Sequence, residues 1–335
     1  MDYLKELEKC VLCEHRCEVD RLAGELGVCR SGLPEVASRT LHPAPPESYT
    51  VFMAGCNFKC LNCQNWSISQ YPDNGCKVDG WIDPDKLALE CIGALNSHRA
   101  KNMGADRVLF SGGEPSISLP YIEKVVIEAR EIEPDLKVNF DTNGFMTPES
   151  LERVLTIADS ITYDIKAFHD DTHRALTGAP AGPVLRNARY LAEKAPERIW
   201  EFRMTLVPGI NEEDVEPLCE FLAGISTELP VSFLAFRPNF VLDDHAGTPR
   251  ESLKRAVDAA QSAGLSKVTW AGMPGLPGEY KEPDPEIGAK YEHSGAARAA
   301  TWASMRGCAT HPRGCSGCDA NQACRLKKYR PATSS

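Results

Sequence analysis

Short apolar runs recur between about residue 49 and residue 272, each followed by a longer amphipathic stretch. YTVFMAG (49–55), RVLFSG (107–112), KVNFD (137–141), ITYDI (161–165), IWEFRMTLV (199–207), VSFLAF (231–236) and KVTWAG (267–272) predict strands. Helices are predicted near 84–100, 118–132, 147–158, 184–194, 213–225 and 250–263. Asp83–Pro84 and Thr147–Pro148 open two of these with Pro in the first turn, where its missing N–H costs nothing. Strands separated by helix-length segments imply parallel pairing through right-handed crossovers. The expected fold is therefore α/β, a full or partial (β/α) barrel of about six parallel strands, with a doubly wound sheet as the alternative. In either fold, ligands bind at the carboxyl ends of the strands.

Polar motifs fall at those ends: GCNFKC, SGGEP, DTNG, DIK and VPG each follow an apolar run. Residues 1–48 read as a cysteine-bearing segment ending in the Pro-rich linker LHPAPPES, and 49–272 as the α/β domain. Residues 273–335 read as a poorly packed Pro/Gly/Ala-rich connection leading to a second small cysteine-rich appendage.

The net charge of -10 argues against a groove for nucleic acid, which needs clustered cations to neutralise phosphates. The short basic run from Arg325 to Arg330 reads as a solvated tail. No apolar stretch approaches the ~20 residues of a membrane span. The opening MDYLKELEKC has no apolar signal core, so a cytoplasmic, reducing location is expected.

In such a compartment the 14 cysteines read as metal or cluster ligands rather than disulfides. Three groups stand out: Cys10, Cys13, Cys17 and Cys29; Cys56, Cys60 and Cys63; Cys308, Cys315, Cys318 and Cys324. Cys91 and Cys219, inside amphipathic patterns, read as small buried hydrophobes, while Cys76 falls in a loop. Each outer group supplies four thiolates, enough for a tetrahedral zinc or a closed auxiliary [4Fe–4S] cluster; His15 is available to the first but not required. The central group supplies three. A cubane held by three thiolates keeps one iron open, whereas a structural zinc would need a distant fourth ligand.

This Cys-x3-Cys-x2-Cys spacing after a strand resembles the radical S-adenosylmethionine (SAM) superfamily. The resemblance implies a [4Fe–4S] cluster on Cys56, Cys60 and Cys63 whose open iron is chelated by SAM. Reductive cleavage of the sulfonium then yields a 5′-deoxyadenosyl radical that abstracts hydrogen from substrate. Asn62 stands where that superfamily often has an aromatic residue before the third cysteine.

Ser111-Gly112-Gly113-Glu114-Pro115 is either a generic turn or a place where two glycines admit a ligand to the backbone beside a carboxylate. It resembles the superfamily's GGE motif, which binds the amino group of SAM. Asp141-Thr142-Asn143-Gly144 and Asp164-Ile165-Lys166 read alone as a turn and a salt bridge. Together they resemble the pyruvate formate-lyase activating enzyme branch, which implies contacts to SAM from Asp141, Asn143, Asp164 and Lys166 and a monovalent-cation site using the two aspartates. Arg203, before the VPG turn, matches that branch's arginine and could pair with a ligand carboxylate or with a strand-edge acid. His169, His173 and His245 could serve as proton donors, but nothing in the sequence fixes a partner for any of them, and each reads by default as a solvated loop histidine.

CVLCEHRC followed by GELGVC resembles the opening of the AmmeMemoRadiSam group, with Glu14 in place of its usual Pro. The resemblance as a whole implies a protein or small-molecule substrate and an electron donor such as flavodoxin or ferredoxin. Activating enzymes with extra clusters generally carry those cysteines after the radical loop, which is not the arrangement here. A non-enzymatic iron–sulfur carrier is the competing expectation, although it has no need of polar motifs at successive strand ends.

Overall fold

The computed structural model describes residues 2–276 and 280–331. The chain divides into two compact units, one of Met1–Asn57 with Asn65–Thr162 and one of Phe58–Gln64 with Tyr163–Ser335.

The first unit contains strands β1 (Val36–His42) and β2 (Ser48–Met53), helices α1 (Trp66–Ser69), α2 (Pro84–Asn96) and α3 (His98–Met103), then β3 (Arg107–Gly112), α4 (Leu119–Ile132), β4 (Lys137–Thr142) and α5 (Pro148–Ile157). Strand β5 (Ser160–Asp164) follows at the boundary between the units. β2, β3 and β4 pair in parallel, with Ser48 opposite Arg107, Met53 opposite Gly112 and Phe110 opposite Phe140. This register aligns the carboxyl ends of the three strands. Val51, Val108, Phe110, Val138 and Phe140 are buried, as expected of strands covered on both faces.

The second unit contains α6 (Asp170–Thr177), α7 (Gly182–Lys194), β6 (Ile199–Leu206), α8 (Val215–Ala223), β7 (Pro230–Ala235), α9 (Arg250–Ser262), β8 (Lys267–Ala271), α10 (Pro285–Gly288) and α11 (Ser294–Met305). β6, β7 and β8 are again parallel, with Phe202 opposite Val231 and Pro230 opposite Lys267.

The expectation is of about six parallel strands; the described residues form eight strands, the first of them antiparallel. β1 pairs antiparallel with β2, and its exposed Ser38, Thr40 and His42 are the polar outward positions of a strand solvated on one side. The expectation of a poorly packed connection at 273–307 is also corrected, because α11 buries Ala296, Ala299, Ala300, Trp302 and Ala303. Small residues there serve close approach: an added Cβ on Gly295 would lie 1.8 Å from the Ile210 carbonyl oxygen. Residues 277–279 and 332–335 of that segment lie outside the described residues.

Candidate functional site

In the first unit the aligned strand ends assemble around Cys56. Gly113 N–H donates to the Met53 carbonyl at 2.9 Å and Glu114 N–H to the Gly55 carbonyl at 3.0 Å. A Cβ on Gly113 would stand 1.9 Å from the Gly55 carbonyl oxygen, and one on Gly112 would stand 2.3 Å from the Met53 backbone. The space on the Cβ side of both glycines is therefore taken by the backbone leading to Cys56.

Glu114 is 1% exposed. Its carboxylate accepts from Ser116 N–H at 3.0 Å, Thr142 Oγ1 at 2.7 Å and Asn143 N–H at 2.8 Å. Burial pushes this carboxyl above its ordinary value, and those donors oppose the rise. Glu114 thereby fixes the turn after β4. Asn143 Nδ2 from that turn reaches Asn57 Oδ1 at 2.7 Å and Cys56 Sγ at 3.9 Å. Ser111 Oγ donates to Asp141 Oδ2 at 2.7 Å.

The first four-cysteine group packs against the same turn. Thr147 N–H donates to the Leu12 carbonyl and Glu14 N–H to the Phe145 carbonyl, each at 3.1 Å. His15 Nε2 lies 2.9 Å from the Asn57 carbonyl oxygen, and its ring packs on Phe145 at 4.8 Å. Cys10, Cys13, Cys17 and Cys29 line one cavity, closed on one side by the buried Arg21. Arg21 donates to the Ile117 carbonyl at 2.6 Å and contacts Cys10 Sγ at 3.7 Å.

In the second unit, Cys60 and Cys63 lie on the segment 58–64, which is docked on the end of α6. Lys59 N–H donates to the Thr177 carbonyl at 2.7 Å and Leu61 N–H to the Leu176 carbonyl at 3.0 Å. Burial pushes the Cys60 thiol up to about 12 against the pull of the Lys166 and Arg313 cations. A thiol held protonated in this way is inert as a nucleophile, and a metal must displace its proton to bind.

Asp164 sits between Lys166 Nζ at 2.7 Å and Arg203 Nε at 2.9 Å. Each carboxylate oxygen is engaged by a cation, the arrangement of an ion pair rather than of a cation cage. Asp141 belongs to the other unit. Burial would raise the Asp164 carboxyl, but Arg203 and Lys166 outweigh it and hold the group at about 2, below the ordinary 3.8. Its stabilising contribution is thus full above about pH 3.8 and is lost as pH falls toward about 2. The Asp164 side chain is 21% exposed, so little screening applies. Asp164→Asn is expected to cost about 2 kcal/mol at neutral pH. Urea unfolding should show the gap between variant and wild type closing as pH approaches 2; a gap independent of pH would refute the assignment.

The histidines correct the sequence reading. His173 is fully buried, its Nδ1 2.7 Å from the Ala179 carbonyl oxygen, and burial lowers it to about 4. His245 is also buried, 2.9 Å from the Ala246 carbonyl oxygen. His169 does have a partner: Nδ1 lies 3.1 Å from the buried Asp214, and its ring stacks at 3.9 Å on His293, which bonds Asp171. Neither the eight residues of α6, which carry His173, nor the loop around His245 is long enough to give a periodicity from which to foresee this burial.

Cys308, Cys315, Cys318 and Cys324 line a single cavity of the second unit together with Lys59 and Arg313. No three Cys, His, Asp or Glu side chains among the described residues form a ready-made ion site, so metal binding requires the thiols to close inward. Asn57 and Arg313 were missed by the sequence reading. Adjacency to Cys56 signalled the first, and nothing signalled the second. No helix of the described residues is long and apolar enough to cross a membrane.

The family model of the radical SAM superfamily matches residues 50–222. An uncharacterised protein of Methanocaldococcus jannaschii is 28% identical over 258 residues, 75% of this chain and 72% of that one. The pyruvate formate-lyase-activating enzyme of Staphylococcus aureus is 31% identical over 196 residues, 54% of this chain and 71% of that one. A solved domain of pyruvate formate-lyase-activating enzyme from Bacteroides vulgatus aligns at TM-score 0.41 and 21% identity, covering 50% of this chain and 100% of that one. The matched stretch is more than half of the sequence and contains the three-cysteine loop and both turns that meet at Cys56. The chain belongs to the radical SAM superfamily and is an enzyme resembling pyruvate formate-lyase-activating enzyme.

Proposed function

We propose that Cys56, Cys60 and Cys63 hold a [4Fe–4S] cluster with one iron left for SAM, and that the enzyme abstracts a hydrogen atom from a protein or small-molecule substrate. The observation that carries this reading is the chain of contacts Glu114–Asn143–Asn57/Cys56, by which the GGE and DTNG turns converge on the first thiol of the triplet. Shielding suits the group: Cys56 and Cys60 are 6% and 8% exposed, each beside polar side chains of its own unit, and Cys63 is half-buried. When bound, cluster and SAM supply one-electron reduction and homolytic cleavage of the sulfonium C–S bond.

The protein's own groups position and shield. Glu114 holds the DTNG turn, Asn143 orients Asn57 beside Cys56, and Lys166 places a cation near Cys60. Ser111, Gly112, Gly113, Asp141, Asp164 and Arg203 complete the strand ends where SAM would lie. Glu114 acts through the backbone it already binds, and Asp164 through its two cations. The N-terminal cavity, with its resemblance to the AmmeMemoRadiSam opening, is read as a zinc or auxiliary-cluster site bracing Asn57 through His15. Electrons would come from a flavodoxin or ferredoxin. The carrier alternative gives way to the family assignment.

The test is anaerobic reconstitution with iron and sulfide, followed by SAM and dithionite. Production of 5′-deoxyadenosine is expected, with turnover rising when cell extract supplies substrate. A fully loaded protein that leaves SAM intact overturns the reading.

A further inference from the structure

The C-terminal cysteines share a cavity with the residue that precedes Cys60. Lys59, Arg313 and Lys327, which also line it, are 3%, 2% and 1% exposed. Buried cations beside four thiols are what a centre with net negative charge requires, since four thiolates outweigh a zinc ion or a cubane core. Arg313 is the hinge of the arrangement. Its Nη1 donates to the Ala175 carbonyl at 2.7 Å and its Nη2 to the Lys59 carbonyl at 3.0 Å, while its buried Nε has no hydrogen-bond partner. Cys315 N–H donates to the Gly178 carbonyl at 2.9 Å, anchoring the same tail to the end of α6. At Gly178 (φ +84°) a Cβ would stand 2.3 Å from Cys315 Sγ, so any side chain there would collide with the thiol.

We infer that Cys308, Cys315, Cys318 and Cys324 bind a structural metal centre, a zinc ion or an iron–sulfur cluster, that locks the tail onto the backbone presenting Cys60. This rests on the radical reading only for the role of Cys60. Metal closes the four thiols and fixes the short segment carrying Arg313, and Arg313 then holds the Lys59 carbonyl while α6 holds the Lys59 and Leu61 amides. No electron passes in this role; the centre acts as a clasp.

The experiment uses the full chain, purified and reconstituted anaerobically, with iron, sulfide and zinc counted per chain and amide exchange followed at Lys59 and Leu61. Cys315→Ser/Cys324→Ser is expected to lose about one zinc or about four irons relative to wild type. Exchange at the two amides should quicken by about tenfold or more. Loss of zinc identifies an ion and loss of iron with sulfide a cluster, and either supports the clasp. Arg313→Gln, which leaves every thiol in place, should keep the metal yet show the same faster exchange. Unchanged metal content in the double-serine variant overturns the site, and unchanged exchange in both variants overturns its coupling to the loop. Neither result depends on SAM cleavage, so failure here leaves the proposed reaction standing.

Discussion

Cys60→Ala is expected to abolish 5′-deoxyadenosine formation, by about a thousandfold or more, while Cys91→Ala leaves it within about twofold. The two thiols are alike in several respects: both are buried, and burial pushes both above the ordinary thiol value. What separates them is company. Cys60 has the Lys166 cation and a second loop cysteine, Cys63, as electrostatic neighbours, whereas Cys91 lies buried in α2, where the charges that act on it are Glu90 and Arg39 and no other cysteine is among them. Removing one of three thiolates leaves a cubane with two protein ligands, too few to be retained. Removing the Cys91 sulfur leaves only a small cavity, at a cost of about 1 kcal/mol. Iron and sulfide counts taken with product assays separate loss of cluster from loss of turnover. Near-normal turnover from a Cys60→Ala protein would end the case for a three-thiolate cluster.

Strands β2, β4 and β5 could be read from sequence because most of their positions are buried, and β3 because Val108, Phe110 and Ser111 are. RVLFSG matches β3 (Arg107–Gly112) in full, and KVNFD is one residue short of β4 (Lys137–Thr142). An uninterrupted apolar run has few alternatives, and a polar cluster at its end marks where the chain leaves the sheet. β1 escaped the same reading because VASRTLH buries only its first two residues, then alternates exposed with half-buried positions and runs into a Pro-rich segment. α6 is capped legibly, with Asp170 and Asp171 in its first turn and Gly178 in the left-handed conformation after it, yet its eight residues are too few to establish a period. In α11 the packing surface is built of Ala and Gly, whose small side chains look like a connection until the backbone is seen to approach at close range.

Site residues were legible as identities and less so as roles. Cys56, Ser111, Glu114, Asp141 and Asn143 do gather at aligned strand ends. Resemblance implies that Glu114 contacts a ligand amine, and in the fold its carboxylate also accepts backbone and hydroxyl donors that shape the next turn. Arg203 resolves similarly, into the strand-edge ion pair with Asp164. One-letter patterns register that a carboxylate is present; only the fold says which donors reach it first. The tertiary partners Asn57 and Arg313 illustrate the same limit, since Arg313 binds the Lys59 carbonyl across 254 residues of chain.

Gly113→Ala puts the distinction between ligand space and packing space to the test. The added methyl would meet the Gly55 carbonyl oxygen at 1.9 Å, the Gly55 carbonyl carbon at 2.6 Å and Ser69 Cα at 3.2 Å. All three are backbone atoms, so no side chain can rotate aside and the strand ends themselves must separate. A cost of about 3 kcal/mol is expected, at the upper end of overpacking by one carbon. Separation also breaks the Glu114 N–H bond to Gly55 and shifts the peptide that presents Cys56, so iron retention should fall with stability. Gly93→Ala is the matched control: it sits inside α2 with nothing within 4 Å of the added carbon, and should stabilise by about 0.5–1 kcal/mol. Urea unfolding of the metal-free proteins and iron counts of the reconstituted ones read the two effects separately. If Gly113 instead kept open a path for ligand, Gly113→Ala would unfold like wild type and hold its iron, and only its affinity for SAM would drop.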